Sequence, residues 1–146
     1  MAATAELGQD ERMELLRGVQ LFHGVGDEDL ATIAAKTNEV SFDPGRTIVR
    51  QGEVGTGFFM IVSGIARVVR DGETLSRLGP GEFFGELSLL DGQPRIANVV
   101  AEEPTTCLAL ASWDFEAILA EEPGVALAVL RGVARRLRSV SEDHRH

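Results

Sequence analysis

Cysteine is almost absent from this chain, which has 146 residues and a single cysteine at position 107. Cys107 therefore cannot close an internal disulfide, and its place in an apolar segment predicts a buried small residue rather than a reactive thiol. The three histidines, His23, His144 and His146, form no Cys/His pair and no metal-ligand spacing, and no Ser/His/acid set is present. We therefore expect no catalytic residue, no metal site, no cofactor and no enzyme activity.

Long apolar runs and excess positive charge are also missing. No apolar run approaches the roughly 20 residues of a membrane helix, and the N-terminus lacks the charged and apolar regions of a secretory signal. The net charge of −9 argues against a generic nucleic-acid surface, which is usually basic. We expect a cytoplasmic protein that binds neither membranes nor nucleic acid. One lysine against thirteen arginines suggests a bacterial source.

What the chain does contain is a series of short apolar segments separated by glycine and proline turns. Such segments predict β-strands, and the pair Asp71-Gly72 predicts a hairpin. About eight strands at this spacing predict an antiparallel jelly roll or barrel. The predicted strands with assigned positions are Val40–Phe42, Thr47–Arg50, Phe58–Val62, Ile65–Arg70, Thr74–Leu78, Asn98–Ala101 and Thr105–Leu110.

Helical periodicity precedes and follows the strands. Asp27 and Ser112 are predicted to be the N-caps of the second and third helices. We divide the chain into an N-terminal helical segment at 1–20 and a domain at 21–146, in which the barrel occupies about 38–111 and the C-terminal helices about 112–141. The predicted helices span Asp10–Val19, Asp27–Lys36, Trp113–Ala120 and Val125–Val140.

The segment 84–99 has the side chains needed to hold a singly charged phosphodiester on a sugar. Gly85 allows a tight turn close to a ligand, and residues 86–90 favour a short helix whose free N–H groups attract anions. Arg95 offers a planar fork for two phosphate oxygens. Because Glu86 would repel a phosphate, its expected partner is a ribose hydroxyl. Together these features predict a nucleotide monophosphate site.

This segment resembles the phosphate-binding cassette of the cyclic nucleotide-binding domain family, of the type found in the regulatory subunit of cAMP-dependent protein kinase and in the catabolite activator protein. The resemblance extends from about Leu21 to Leu137. It implies a mainly β fold, an eight-stranded antiparallel jelly-roll β-barrel with N-terminal helices and a C-terminal helix that acts as a lid or a dimer helix. The matching residues are Phe84, Gly85, Glu86, Leu87, Ser88, Leu89, Leu90, Pro94, Arg95, Ala97 and Val99.

The resemblance also implies which residues contact the ligand. Arg95 is implied to bind the exocyclic phosphate oxygens, together with the backbone amides of Ser88 and Ala97. Glu86 and the backbone amide of Gly85 are implied to bind the ribose 2′-hydroxyl. The complete implied site for the cyclic nucleotide is Phe84, Gly85, Glu86, Leu87, Ser88, Pro94, Arg95, Ile96 and Ala97.

Ile96, which follows the cassette arginine, bears on the choice of nucleotide. In the family this position is often Thr or Ser where cGMP is preferred, because a hydroxyl there bonds the guanine amino group. Ile96 has no donor or acceptor, and an unpaired buried amino group costs about 1–3 kcal/mol, so we expect cAMP to be preferred over cGMP. No aromatic residue follows Phe115. We therefore expect Leu130 or Leu137 to cover the base, or the cover to be weak.

The last predicted helix carries an apolar stripe that leaves two interpretations open. The stripe either covers the mouth of the barrel or packs on the domain, or it forms a homodimer through the helix Val125–Val140. Behind it lies a cluster of arginines, for which a solvated face is the simplest interpretation. The stripe consists of Ala126, Leu130, Val133, Leu137 and Val140.

The expected function is a regulatory module for signal transduction. Binding of cAMP would move the C-terminal helix and so control an effector protein that the sequence does not identify. One alternative is a scaffold of the same fold that binds no ligand. The other is a fragment of a catabolite-activator-like transcription regulator without its DNA-binding domain, since only Ser139–His146 follow the last leucine of the long helix, Leu137, and Arg138.

Overall fold

The computed structural model describes residues 7–54, 57–85 and 94–143, in which helices stand before and after a block of β-strands. The predicted mainly β fold with flanking helices is confirmed. The helices are α1 (Gln9–Arg17), α2 (Asp27–Ala35), α3 (Ser112–Glu121) and α4 (Pro123–Asp143), with a 3-10 turn at Gln20–Phe22. The strands are β1 (Asn38–Phe42), β2 (Thr47–Val49), β3 (Gly57–Ser63), β4 (Ala66–Arg70), β5 (Glu73–Leu78), β6 (Phe83–Phe84), β7 (Asn98–Ala101) and β8 (Thr105–Ala111).

The eight strands pair as two four-stranded antiparallel sheets. The first sheet has the order β1-β8-β3-β6 and the second the order β2-β7-β4-β5. Neither sheet closes on itself, so the expected single eight-stranded barrel is not confirmed within the described part of the chain. The predicted hairpin is present: β4 pairs with β5, and the turn residues Asp71 and Gly72 have φ angles of 52° and 84°, as the favoured two-residue turn requires.

The molecule has three layers, which are the helices, the first sheet and the second sheet, and an apolar cluster lies between each pair of adjacent layers. Because side chains alternate along a strand, β3 contributes to both clusters. Phe58 and Met60 face a cluster shared with the helices, and Ile61 faces a cluster between the two sheets. The helices therefore cover the outer face of the first sheet, while the second sheet packs against its inner face.

Helices α2 and α3 begin one residue earlier than the predicted N-caps imply. Asp27 and Ser112 are the first helical residues of α2 and α3, and Gly26 and Ala111 are the N-caps, without a side-chain capping bond. The two predicted N-caps are therefore wrong. In α2, Asp27 still lies in the first turn, where a carboxylate interacts favourably with the helix dipole. None of the helices that the structure describes has the length and apolar composition needed to cross a membrane.

Cys107 is a core residue, as predicted. Its side chain lies in the cluster between the two sheets and is fully buried. Burial raises the pKa of the Cys107 thiol to about 12, because the thiolate would lose its hydration. The thiol therefore stays protonated at neutral pH and is a poor nucleophile.

Candidate functional site

The short strand β6 brings the chain to the site. Phe84 pairs with Phe59 of β3, and their rings stack with centroids 5.4 Å apart and planes inclined by 15°. Phe84 is thus packed in the cluster between the sheets. The next residue, Gly85, has a φ of +85°, a backbone conformation that glycine adopts without strain and other residues avoid. Strand β6 therefore ends before a glycine whose backbone conformation is unsuited to a strand.

Arg95 is held at this point by its side chain and its backbone. The residue is only 9% exposed, and its Nη2 donates a hydrogen bond to the carbonyl oxygen of Gly57, the first residue of β3, at 2.5 Å. The backbone N–H of Arg95 donates to the carbonyl of Glu53 at 2.7 Å, and its carbonyl accepts from the N–H of Gly52 at 2.8 Å. These hydrogen bonds therefore fix the guanidinium of Arg95 and also the peptide units before and after this residue.

Gly85 and Arg95 touch, and this contact requires a glycine. A Cβ at position 85 would lie 2.1 Å from Nη1 of Arg95 and 2.9 Å from the carbonyl oxygen of Gly57. Both distances are shorter than those that real Cβ atoms make. The guanidinium of Arg95 thus occupies the space that a side chain at position 85 would fill.

This arrangement is suited to binding an anion. A guanidinium stays charged in proteins and presents its donors in a fixed planar fork that matches the oxygens of a phosphate. Its burial reduces the screening of that charge by water, which strengthens its attraction for an anion. The hydrogen bond to Gly57, together with the fixed backbone at Arg95, restricts the direction of the fork.

The structure brings together only part of the predicted site. Gly85 and Arg95 are in contact, and Pro94 forms an isolated bridge with Val54. Ile96 is 76% exposed, so its side chain faces solvent. Ala97 is half-buried. The remaining predicted residues, Glu86, Leu87 and Ser88, lie outside the residues that the structure describes.

Sequence reasoning missed the residues that hold Arg95. Gly52, Glu53 and Gly57 act through backbone N–H and carbonyl groups, which every residue type offers, and they lie about forty positions from Arg95 along the chain. The one available signal was the cluster of glycines between β2 and β3, of which Gly52 has a φ of +85°. A glycine pattern indicates close backbone approach but does not name the partner.

Helix α4 packs on the domain through a face that differs from the predicted stripe. Val125, Ala128 and Val129 are buried, and Val125 and Val129 belong to the cluster between the helices and the first sheet. Leu130 and Leu137 of the predicted stripe are exposed. The predicted stripe therefore mixes two faces. Because α4 is apolar on more than one side, the periodicity alone did not show which side meets the domain.

Comparison with known proteins places this site in a family. Residues 39–122 match the family model of the cyclic nucleotide-binding domain. The chain is 38% identical over 128 residues to a cyclic AMP receptor protein of Thermus thermophilus, an alignment that covers 84% of this chain and 59% of that protein.

Two solved structures are also similar. The N-terminal domain of a transcriptional regulator from Streptomyces coelicolor A3(2) superposes with a TM-score of 0.82 at 36% identity, covering 90% of this chain and 96% of that one. The catabolite activator protein of Thermus thermophilus gives a TM-score of 0.69 at 37% identity, covering 86% of this chain and 61% of that one. The chain thus spans about three fifths of these Thermus relatives.

The family match runs from β1 to the end of α3 and includes both Gly85 and Arg95. The similarity to the Streptomyces domain extends over almost the whole of that domain. This chain therefore belongs to the cyclic nucleotide-binding domain family and is related to transcription regulators of the catabolite activator type.

Proposed function

We propose that this chain binds a cyclic nucleotide as a regulatory module and not as an enzyme, with the Arg95 guanidinium on the exocyclic phosphate. The observation that carries the proposal is the buried Arg95, fixed on the carbonyl of Gly57 in the space left by Gly85. A buried, rigid cation of this shape is suited to a singly charged phosphodiester. Family membership supports the same ligand class.

The other ligand contacts are proposed from the family pattern. Glu86 and the backbone amide of Gly85 bind the ribose 2′-hydroxyl, and the backbone amides of Ser88 and Ala97 assist Arg95. Phe84 fixes the position of the adjacent Gly85, since the ring of Phe84 is packed in the core against Phe59. The phosphate would then lie at the end of a packed strand, beside Gly85 and Arg95.

We propose that the preferred nucleotide is cAMP. The side chain of Ile96 is 76% exposed beside Arg95 and offers no hydrogen bond to a base. The neighbouring Val54 is also exposed and pairs with Pro94. Val54, Pro94 and Ile96 therefore offer no side-chain hydrogen bond to a base. A guanine amino group that leaves water on this surface gains no partner from them, which disfavours cGMP.

We also propose that α4 forms a homodimer through its exposed face. Leu127, Leu130 and Leu137 are 48%, 65% and 64% exposed. With the exposed Ala134 they follow alternating steps of three and four residues, which is the spacing of a coiled-coil seam. A second copy of the helix would remove these leucines from water, which is favourable by about 25 cal/mol per Å² of apolar surface.

The arginines beside this seam favour a parallel dimer. If Leu130 and Leu137 occupy the d positions, Arg131 and Arg138 occupy e positions and Val133 a g position. In an antiparallel pair, e positions face e positions and the arginines would repel one another. In a parallel pair they face g positions, where their aliphatic stems cover Val133.

Binding would then act on α4 through a population shift. A ligand changes the position of a helix only if it binds one arrangement more tightly than the other. We propose that cAMP favours one position of α4 and so controls an effector. The relation to catabolite activator proteins favours a second candidate, in which this chain is the ligand-sensing part of a transcription regulator.

The base preference is tested at Ile96. Calorimetric titration of the chain should give tighter binding of cAMP than of cGMP. Ile96→Thr adds a hydroxyl and should raise the affinity for cGMP by roughly three- to tenfold, since one hydrogen bond contributes about 0.5–1.5 kcal/mol. Ile96→Val is the matched control, because it has the shape of threonine without the hydroxyl. Equal cGMP affinity in the Thr and Val variants would contradict the role of Ile96.

The contact of Gly85 with Arg95 is tested by two alanine substitutions. Gly85 and Gly45 have nearly the same φ, 85° and 87°, but a Cβ at Gly45 meets nothing within 4 Å. Both variants should lose stability from backbone strain. Only Gly85→Ala should also weaken cAMP binding, by about tenfold or more, because the displaced guanidinium loses charge-assisted bonds worth roughly 1.5–3 kcal/mol. Equal cAMP affinity in both variants would show that Gly85 serves only the turn.

The dimer is tested by Leu130→Glu and analytical ultracentrifugation. The wild-type chain should sediment as a dimer and Leu130→Glu as a monomer, because a charge in the seam is desolvated without a partner. Leu75→Glu makes the same change at another exposed leucine, on β5, and should remain dimeric. A wild-type monomer, or a dimer that survives Leu130→Glu, would rule out this interface.

A further inference from the structure

Gln51 joins three parts of the second sheet beside the site. Its side-chain amide makes two hydrogen bonds to Asp71 at the tip of the β4–β5 hairpin: Nε2 donates to Oδ1 at 3.0 Å, and Oε1 accepts from the backbone N–H at 3.3 Å. Its own backbone N–H donates to Oδ1 of Asn98, at the start of β7, at 2.7 Å. Both polar ends of the Gln51 side chain and its backbone are therefore engaged.

The residues that follow Gln51 are those that hold the backbone of Arg95. The N–H of Gly52 donates to the carbonyl of Arg95, and the carbonyl of Glu53 accepts from its N–H. The segment from Gln51 to Glu53 belongs to no strand. The N–H of Glu53 also donates to the carbonyl of Arg50, and Val54 bridges Pro94. The hydrogen bonds of Gln51 add the link from this segment to the β4–β5 hairpin and to β7.

We propose that Gln51 is a positioning residue for Arg95. It fixes the loop after β2 to the hairpin tip and to β7, so that Gly52 and Glu53 present their backbone groups to Arg95 in one place. Without Gln51 the loop has more freedom, and ordering it on ligand binding carries an entropic cost. The same bonds couple the tip of the β4–β5 hairpin to the nucleotide site.

This inference rests on the proposed cyclic-nucleotide binding and is tested by exchanging the polar groups of the pair. Gln51→Ala removes the side chain. Gln51→Glu places a carboxylate against that of Asp71, and adding Asp71→Asn restores one donor facing one acceptor with the roles reversed. Asp71→Asn alone keeps the acceptor for Gln51. Asparagine tolerates the positive φ at this position. Gln9→Ala is the matched control, since it removes a different exposed glutamine whose Nε2 donates to the carbonyl of Ala31 at 2.7 Å.

Three quantities are measured: the Kd for cAMP by calorimetry, the Tm, and the hydrogen-exchange rates of the Gly52 and Arg95 amides without ligand. Gln51→Ala and Gln51→Glu should weaken cAMP binding by about three- to tenfold and accelerate exchange at both amides. The double variant Gln51→Glu/Asp71→Asn should recover the wild-type Kd and exchange rates. Gln9→Ala should change neither the Kd for cAMP nor the exchange rates of the Gly52 and Arg95 amides.

The possible failures are distinguishable. A lower Tm with unchanged Kd and unchanged exchange in Gln51→Ala would make Gln51 merely structural and overturn the proposal. Failure of Asp71→Asn to rescue Gln51→Glu would overturn it as well. If the wild-type chain binds no cyclic nucleotide, the proposed function fails, and the exchange rates at Gly52 and Arg95 still decide whether Gln51 holds the backbone of Arg95.

Discussion

A buried positive charge is the constraint on which the rest of this structure depends. Arg95 has only 9% of its surface exposed, and a charge removed from water must find polar partners in the protein or in a ligand. The carbonyl of Gly57 supplies one partner, and backbone bonds to Gly52 and Glu53 fix the peptide units beside it. Gly85 supplies the space. Each of these features is explained by the need to hold one guanidinium in one place.

The two-sheet fold makes this arrangement rigid. Strand β3 lies inside the first sheet between β8 and β6, and its first residue, Gly57, is paired with Ala111 of β8. The stacked rings of Phe59 and Phe84 fix β6 and with it the start of the turn at Gly85. The same strand places Phe58 in the cluster that contains Val125 of α4. The site and the cluster that contains α4 therefore meet the same end of β3, through neighbouring residues whose side-chain directions point to opposite faces, which offers a route for the proposed coupling.

The sequence was sufficient for the elements and for the central pair of the site. Turn glycines and alternating apolar residues located every strand except the two-residue β6, and the motif around Gly85 and Arg95 named the two residues that the structure brings into contact. What it did not reveal depends on tertiary approach. Arg95 bonds the backbone carbonyl of Gly57, a group that every residue has, so the sequence does not single it out. The hydrogen bonds of Gln51 join segments that are distant in the chain. The division into two open sheets depends on which strands pair along their edges. The alternation of apolar and polar residues predicts a strand but not its neighbours in the sheet.

The most direct test of the account is calorimetric titration of cAMP into the wild-type chain and into Arg95→Ala. The account predicts saturable binding to the wild type and a loss of affinity of about 100-fold or more in the variant, because removing one partner of a buried charge pair costs about 3–5 kcal/mol. Arg77→Ala, which removes an exposed arginine paired with Glu102 on the second sheet, should bind like the wild type. Equal affinity of Arg95→Ala and the wild type would contradict the assignment of Arg95 to the phosphate.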